Sequence, residues 1–147
     1  MIEVDQYNMT EAPYCAPPHA CTYKPQLAVP AGACDTHVHV FGPAEKYPYQ
    51  DERSYTPPDC PPSDLFELHR TLDISRAVLV QASVHGIDNS AILDAVKLSP
   101  GSLRAVAAVG PDVSDKELKA LHEGGVRGLR FNLVDKGGMR FESLNDL

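Results

Sequence analysis

The chain has no run of lysine or arginine, and its formal net charge is −7 over 147 residues. A nucleic-acid partner needs a basic patch, so the charge pattern argues against one. An anionic substrate would have to be held by a few local arginines acting against the overall field. No apolar stretch approaches the roughly 20 residues needed to cross a bilayer. Met1-Ile2-Glu3-Val4-Asp5 is acidic and lacks the hydrophobic centre of a secretion signal. The expected setting is therefore cytoplasmic, with no membrane partner. No C-x-x-C pair occurs among Cys15, Cys21, Cys34 and Cys60, which leaves a zinc knuckle or thioredoxin-type motif unsupported. In a reducing cytosol all four are expected as free thiols, Cys34 as a small buried residue of a strand. The glycine-rich G-x-G-x-x-G turn and the P-loop are missing too, and with them the usual marks of a nucleotide-binding open sheet.

What the chain does contain is enough for one modest domain: 43% hydrophobic and 22% charged residues, ordinary for a globular protein. Residues 1–30 hold Pro13, Pro17, Pro18, Pro25 and Pro30 without sustained periodicity, and are expected to form an extended arm. From residue 31 to 147 a regular alternation follows. Strands are expected near 33–40, 76–81, 103–109 and 126–132. A long loop rich in proline and tyrosine separates the first strand from a helix that Ser63 would cap, with Leu65, Leu68 and Leu72 inward. Such a loop in a compact domain is usually functional or mobile. A second helix starts near Asn89 and buries Ile92, Leu93, Val96 and Leu98, ending at Pro100-Gly101. Ser114-Asp115-Lys116-Glu117 is a capping-box signature for a third helix, with Leu118 and Leu121 inward and Gly124-Gly125 at its close. Ser143 would cap a fourth helix. His69 and His122 fall in helices and are expected at the surface, while His85 and Asn89 would order the turn after the second strand.

The expected class is α/β, with parallel strands joined by helices. A closed eight-stranded barrel fits better than an open sheet. A complete barrel typically takes roughly 250 residues, so four β/α units are expected to form an N-terminal half-barrel. The polar residues follow that design. Asp35-Thr36-His37-Val38-His39 puts two imidazoles on one face of the first strand, because alternate side chains share a face. Gln81 and Ser83 end the second strand, and Arg130 and Asn132 end the fourth, each with the same spacing. In a barrel these pairs would meet at the C-terminal mouth, where such enzymes place their chemistry. Asp35, flanking the histidines, strengthens that reading. An acid such as Asp135 is the alternative partner for Arg130.

Asp35-Thr36-His37-Val38-His39-Val40-Phe41-Gly42-Pro43 resembles the opening motif of the amidohydrolase superfamily. Tyr55-Thr56-Pro57, Val80-Gln81-Ala82-Ser83-Val84-His85-Gly86-Ile87-Asp88-Asn89 and Val126-Arg127-Gly128-Leu129-Arg130-Phe131-Asn132 agree with it, in order. Together they are similar to the branch of 2-pyrone-4,6-dicarboxylate lactonases and galactarolactone isomerases, over residues 31–147 and the N-terminal half of that barrel. The resemblance implies a TIM-type (β/α)8 barrel and a hydrolase acting on a small carboxylated lactone. It implies His37 and His39 as catalytic groups that stabilise charge on the carbonyl oxygen, and Tyr55, Ser83 and Arg130 as substrate contacts. Arg130 would hold a carboxylate by a bidentate fork. Lys136 stands near a second expected cation.

Most of the superfamily binds a divalent metal, zinc or manganese, through the paired histidines. The branch resembled here is expected to need none. A later histidine and a late-strand aspartate acting as base would lie beyond this stretch. The alternatives are a sugar-acid lactone isomerase, a metal-dependent decarboxylase, or, in another class, an inactive half-barrel that self-associates or binds a partner through its open edge strands.

Overall fold

The computed structural model describes residues 12–19, 23–133 and 136. Its elements run β1 (Cys34–Val38), α1 (Pro62–Leu72), β2 (Arg76–Val80), α2 (Ser90–Leu98), β3 (Leu103–Ala108), α3 (Asp115–Glu123) and β4 (Val126–Arg130). The strands form one parallel sheet in the order β1-β2-β3-β4. Each new strand is added beside the last, with a helix in each crossover, which is the progression of a barrel. An open doubly wound sheet reverses direction after its first strand, and no such switch occurs here. The architecture is α/β, a partial barrel of four parallel strands. The expected fourth helix at Ser143 lies outside the described residues.

The core lies between the sheet and the helices. Leu65, Ala77, Leu79, Ile92, Ala95, Leu103, Ala105, Ala107 and Val126 are all buried there. β3 shows the cause in its alternation: Leu103, Ala105 and Ala107 are buried against the helices, while Arg104, Val106 and Ala108 are half-buried on the opposite, inner face. Burying Leu79 and Ile92 alone stabilises the fold by about 3–6 kcal/mol.

Several sequence expectations are corrected. Ser63 does not cap α1: Pro61 is the N-cap and Pro62 opens the helix, where its missing N–H costs nothing. Ser63 Oγ instead donates to Asp64 Oδ1. Leu65 is buried, but Leu68 is exposed, and the inward place is taken by His69, buried rather than at the surface. Leu98 is exposed as the last residue of α2. Cys34 is exposed too, because β1 is an edge strand. The Ser114 capping box is present with both reciprocal bonds.

The inner face is set by two one-residue irregularities. Asp35 pairs with Ala77 and Val38 with Leu79, so β1 carries one residue more than β2 over that span. Residues paired across a ladder face the same side, so Asp35 and Val38 both face the helices. His37 and His39 therefore face inward, opposite to Asp35. In β4, Val126 pairs with Ala105 while Gly128 pairs with Val106. The extra residue turns Val126 into the core and leaves Gly128 and Arg130 inward.

The loop between β1 and α1 is tied down at several points. Phe41 and Cys60 exchange two backbone bonds of 2.9 Å and close its base. Gln50 N–H donates to Val84 O at 2.7 Å, and Tyr47 Oη–H donates to Asp94 at 2.9 Å. The described part of the arm lies along this loop, with Tyr14 bridged in parallel to Thr56.

Candidate active site

Two side chains from distant strands are fastened to consecutive carbonyls at the end of β2. His39 Nδ1–H donates to Val80 O at 2.8 Å. Arg130 Nη1–H, from β4, crosses the end of β3 to donate to Gln81 O, also at 2.8 Å. The crossing is open because Arg130 stands beside Ala108 in the ladder, a side chain too short to obstruct it. The His37 ring packs edge-on against His39, with centroids 5.2 Å apart and planes at 89°. The imidazole pair and the guanidinium thus occupy one neighbourhood at the C-terminal end of the sheet.

The electrostatics follow from that packing. Burial, then the neighbouring His37 and Arg130, hold the His39 pKa below its ordinary value, against the opposing pull of the Val80 carbonyl. His39 is therefore neutral near pH 7, with its proton on Nδ1 and its lone pair on Nε2. One N–H of Arg130 is committed to Gln81 O, and among the described residues no carboxylate pairs with its fork. Asp135, the alternative partner, lies outside the described residues.

A cleft of about 190 Å³ adjoins this point, lined by Gln81, Ser83, Gly110, Pro111, Arg130 and Asn132 among others. Ser83 begins a single 3-10 turn, Ser83–His85, rather than continuing the strand, yet it reaches the same cleft as Arg130. Gln81 lines the cleft too, but its amide is used locally: Nε2 donates to Gly86 O at 3.2 Å and Asp88 O at 2.7 Å. Tyr55, His37 and His39 do not line it. Tyr55 is half-buried on the loop, next to Ser54, whose Oγ accepts the Lys136 backbone N–H at 3.1 Å. That bond brings the β1–α1 loop against the segment after β4.

Asp35 and His85 depart from the sequence expectation, and Asn89 goes beyond it. Asp35 does not join the imidazoles: its carboxylate turns outward, where Oδ2 bonds His69 Nε2 at 3.1 Å. His85 is one of the most buried side chains, with Nδ1–H on Pro48 O at 3.3 Å. Asn89 holds the N-cap position without capping. Its amide orders the turn by donating to Ile87 O at 3.0 Å and also spans to β3, donating to Ala108 O at 2.8 Å and accepting from Ala108 N–H at 2.9 Å. It thereby fixes one wall of the cleft. No local pattern reveals such a cross-link, because its partner lies 19 residues away.

Whether the histidines can hold a metal depends on how many donors converge. His39 has the form of a ligand, with Nδ1–H on a backbone carbonyl and Nε2 open. A catalytic metal needs about three protein ligands. Among the described residues no group of three or more His, Cys, Asp or Glu side chains converges. The pair alone does not make a metal centre.

A parallel β/α sheet whose first-strand histidine pair and fourth-strand arginine meet at the strand ends has the form of a partial β/α barrel with polar groups at its mouth. The family model described as Amidohydrolase matches residues 34–146, and the chain belongs to that family. It is 50% identical over 113 residues to 2-pyrone-4,6-dicarboxylate hydrolase of Comamonas testosteroni, a match covering 77% of this chain and 37% of that protein. It is 42% identical over 120 residues to 4-sulfomuconolactone hydrolase of Hydrogenophaga intermedia, covering 82% and 40%. A crystal structure of a probable 2-pyrone-4,6-dicarboxylic acid hydrolase from Acinetobacter baumannii with citric acid bound superposes with a TM-score of 0.64. It shows 30% identity and covers 68% of this chain and 37% of that one. The chain spans about two fifths of the length of the curated relatives it matches.

Proposed function

We propose that this chain supplies the anion-anchoring and carbonyl-facing half of a lactone hydrolase acting on a small carboxylated lactone. The observation that carries the reading is the attachment of His39 and Arg130 to consecutive carbonyls, Val80 and Gln81, beside an open cleft. The names of its relatives, hydrolases of two acidic lactones, support it. Arg130 takes a substrate carboxylate through the N–H groups that Gln81 O leaves over. Ser83 lies within the same cleft, and Tyr55, on the loop outside it, is the further substrate contact that the resemblance implies.

The roles of the two imidazoles differ. The His37 ring carries an N–H in every protonation state, so it donates to the lactone carbonyl oxygen as negative charge develops there. His39, neutral with its Nδ1–H donated to Val80 O, offers the Nε2 lone pair to a hydrogen of the incoming water and orients it. Water oxygen adds to the carbonyl carbon and the ring C–O bond breaks. The water proton passes to the base that the resemblance assigns to a late-strand aspartate, and then to the leaving oxygen. The resemblance implies that both imidazoles stabilise the carbonyl oxygen; here that part is given to His37, because the Nδ1 hydrogen of His39 is engaged by Val80 O.

The test adds 2-pyrone-4,6-dicarboxylate to the protein in heavy-oxygen water and follows loss of the ring's ultraviolet absorbance. Hydrolysis places one heavy oxygen in the new carboxylate per turnover. An isomerase, in which a substrate hydroxyl attacks, incorporates none. Turnover that survives a chelator supports the metal-free route. Loss on chelation with recovery on adding zinc or manganese supports the metal-dependent one. A lactone left unchanged, together with no binding of the dicarboxylate, would overturn the reading.

A further inference from the structure

The β1 irregularity creates a requirement that its neighbours meet. An extra residue in a parallel pair leaves an N–H without a ladder partner, free to bond a nearby side chain. Here the His37 N–H donates to Asp35 Oδ1 at 3.2 Å. The other oxygen of the same carboxylate takes His69 Nε2–H at 3.1 Å. His69 comes from the last turns of α1, and its side chain is only 8% exposed, against 28% for Asp35. Water competes poorly for a bond shielded to that extent. One carboxylate therefore links helix α1 to the backbone of the residue at which β1 changes face.

We propose that His69 and Asp35 are positioning residues: the pair holds the β1 irregularity in register and so keeps His37 and His39 turned inward. Without it, β1 regains plain alternation against β2. A one-residue slip exchanges the faces of every side chain beyond it, and His39 then loses Val80 O. The proposal rests on the reading of His37 and His39 as the groups flanking the lactone carbonyl.

The experiment reads the His39 ring directly. Ring-nitrogen NMR correlations identify which nitrogen carries the proton, and the wild-type protein is expected to show His39 with its hydrogen on Nδ1 alone. His69→Leu, checked for folding by circular dichroism, is expected to lose that single-tautomer pattern. His69→Gln keeps an N–H at similar reach and is expected to retain it. A filler role in the core would treat leucine and glutamine alike, or favour leucine. A folded His69→Leu with the wild-type pattern overturns the proposal. If that variant fails to fold, Asp35→Asn takes its place. The amide is the same size but accepts through one atom only, so the pattern is expected to be lost, and its retention overturns the proposal. A His69→Gln protein that fails to fold or loses the pattern overturns it as well. The signal needs no turnover, so an absence of lactone hydrolysis would sink the functional reading and leave this one standing.

Discussion

Replacing His85 with phenylalanine separates a buried polar group that stabilises the fold from one the fold merely tolerates. His85 is 1% exposed, and its Nε2 is buried with no partner. Its ring lies against Tyr49 at 5.0 Å between centroids and stacks on Phe41 at 6.4 Å. Phenylalanine keeps those contacts and removes the orphan nitrogen, whose burial costs about 1–3 kcal/mol. It gives up the 3.3 Å bond to Pro48 O, worth about 0.5–1 kcal/mol at that length. Pro48 is at the surface, where its carbonyl can take water instead. The larger ring costs about 1 kcal/mol in a packed site. Near neutral pH the variant is therefore expected within about 1 kcal/mol of wild type.

Acid distinguishes the two proteins. Burial holds the His85 pKa below its ordinary 6.5. As pH falls below that value the unfolded chain takes up a proton that the folded one refuses. Wild-type stability is thus complete above the unfolded pKa and declines below it, toward the folded value. Each pH unit over which the fold keeps the ring neutral costs up to about 1.4 kcal/mol. Phenylalanine carries no such liability. From about pH 7.5 to about pH 5.5, its stability relative to wild type is expected to rise by about 1 kcal/mol. His39, also held low by burial, titrates in both proteins and cancels in the difference. Urea unfolding at the two pH values measures it. A difference that does not change with pH refutes the reasoning. A loss above about 3 kcal/mol at neutral pH would show that Nε2 has a partner after all.

Arg130→Lys keeps the charge but not the planar fork. Dicarboxylate binding measured by calorimetry is expected to weaken about 10- to 100-fold, and unchanged affinity would remove Arg130 as the anchor. Gly42→Ala is expected to cost about 2 kcal/mol or more in urea unfolding. Its φ of 70° is left-handed, and an added Cβ would sit 2.0 Å from Asp59 Oδ1. A loss below about 0.5 kcal/mol would mean that the loop shifts freely at that point.

The elements that were legible are those written locally. β2 is Arg-Ala-Val-Leu-Val, apolar at each of its buried positions, and α3 opens on a capping box that four residues suffice to specify. The inward pair His37/His39 was legible from their two-residue spacing, which the irregularity between Asp35 and Val38 does not break. Asp35 was not. Strict alternation places it with the histidines, and the extra residue in β1 reverses it. The place of His69 was not legible for a related reason: a helical histidine beside an apolar stripe looks solvated until a half-buried carboxylate is found facing it.

Composition and alternation along the chain were sufficient to determine a parallel β/α sheet with chemistry at its strand ends, since burial periodicity and turn residues act over a few positions. Tertiary structure alone decided which strand ends meet. Arg130 and His39 are separated by 91 positions yet find neighbouring carbonyls of a third strand. Only ladder register fixes that geometry, and register is set by the side-chain faces and irregularities of strands far apart in sequence.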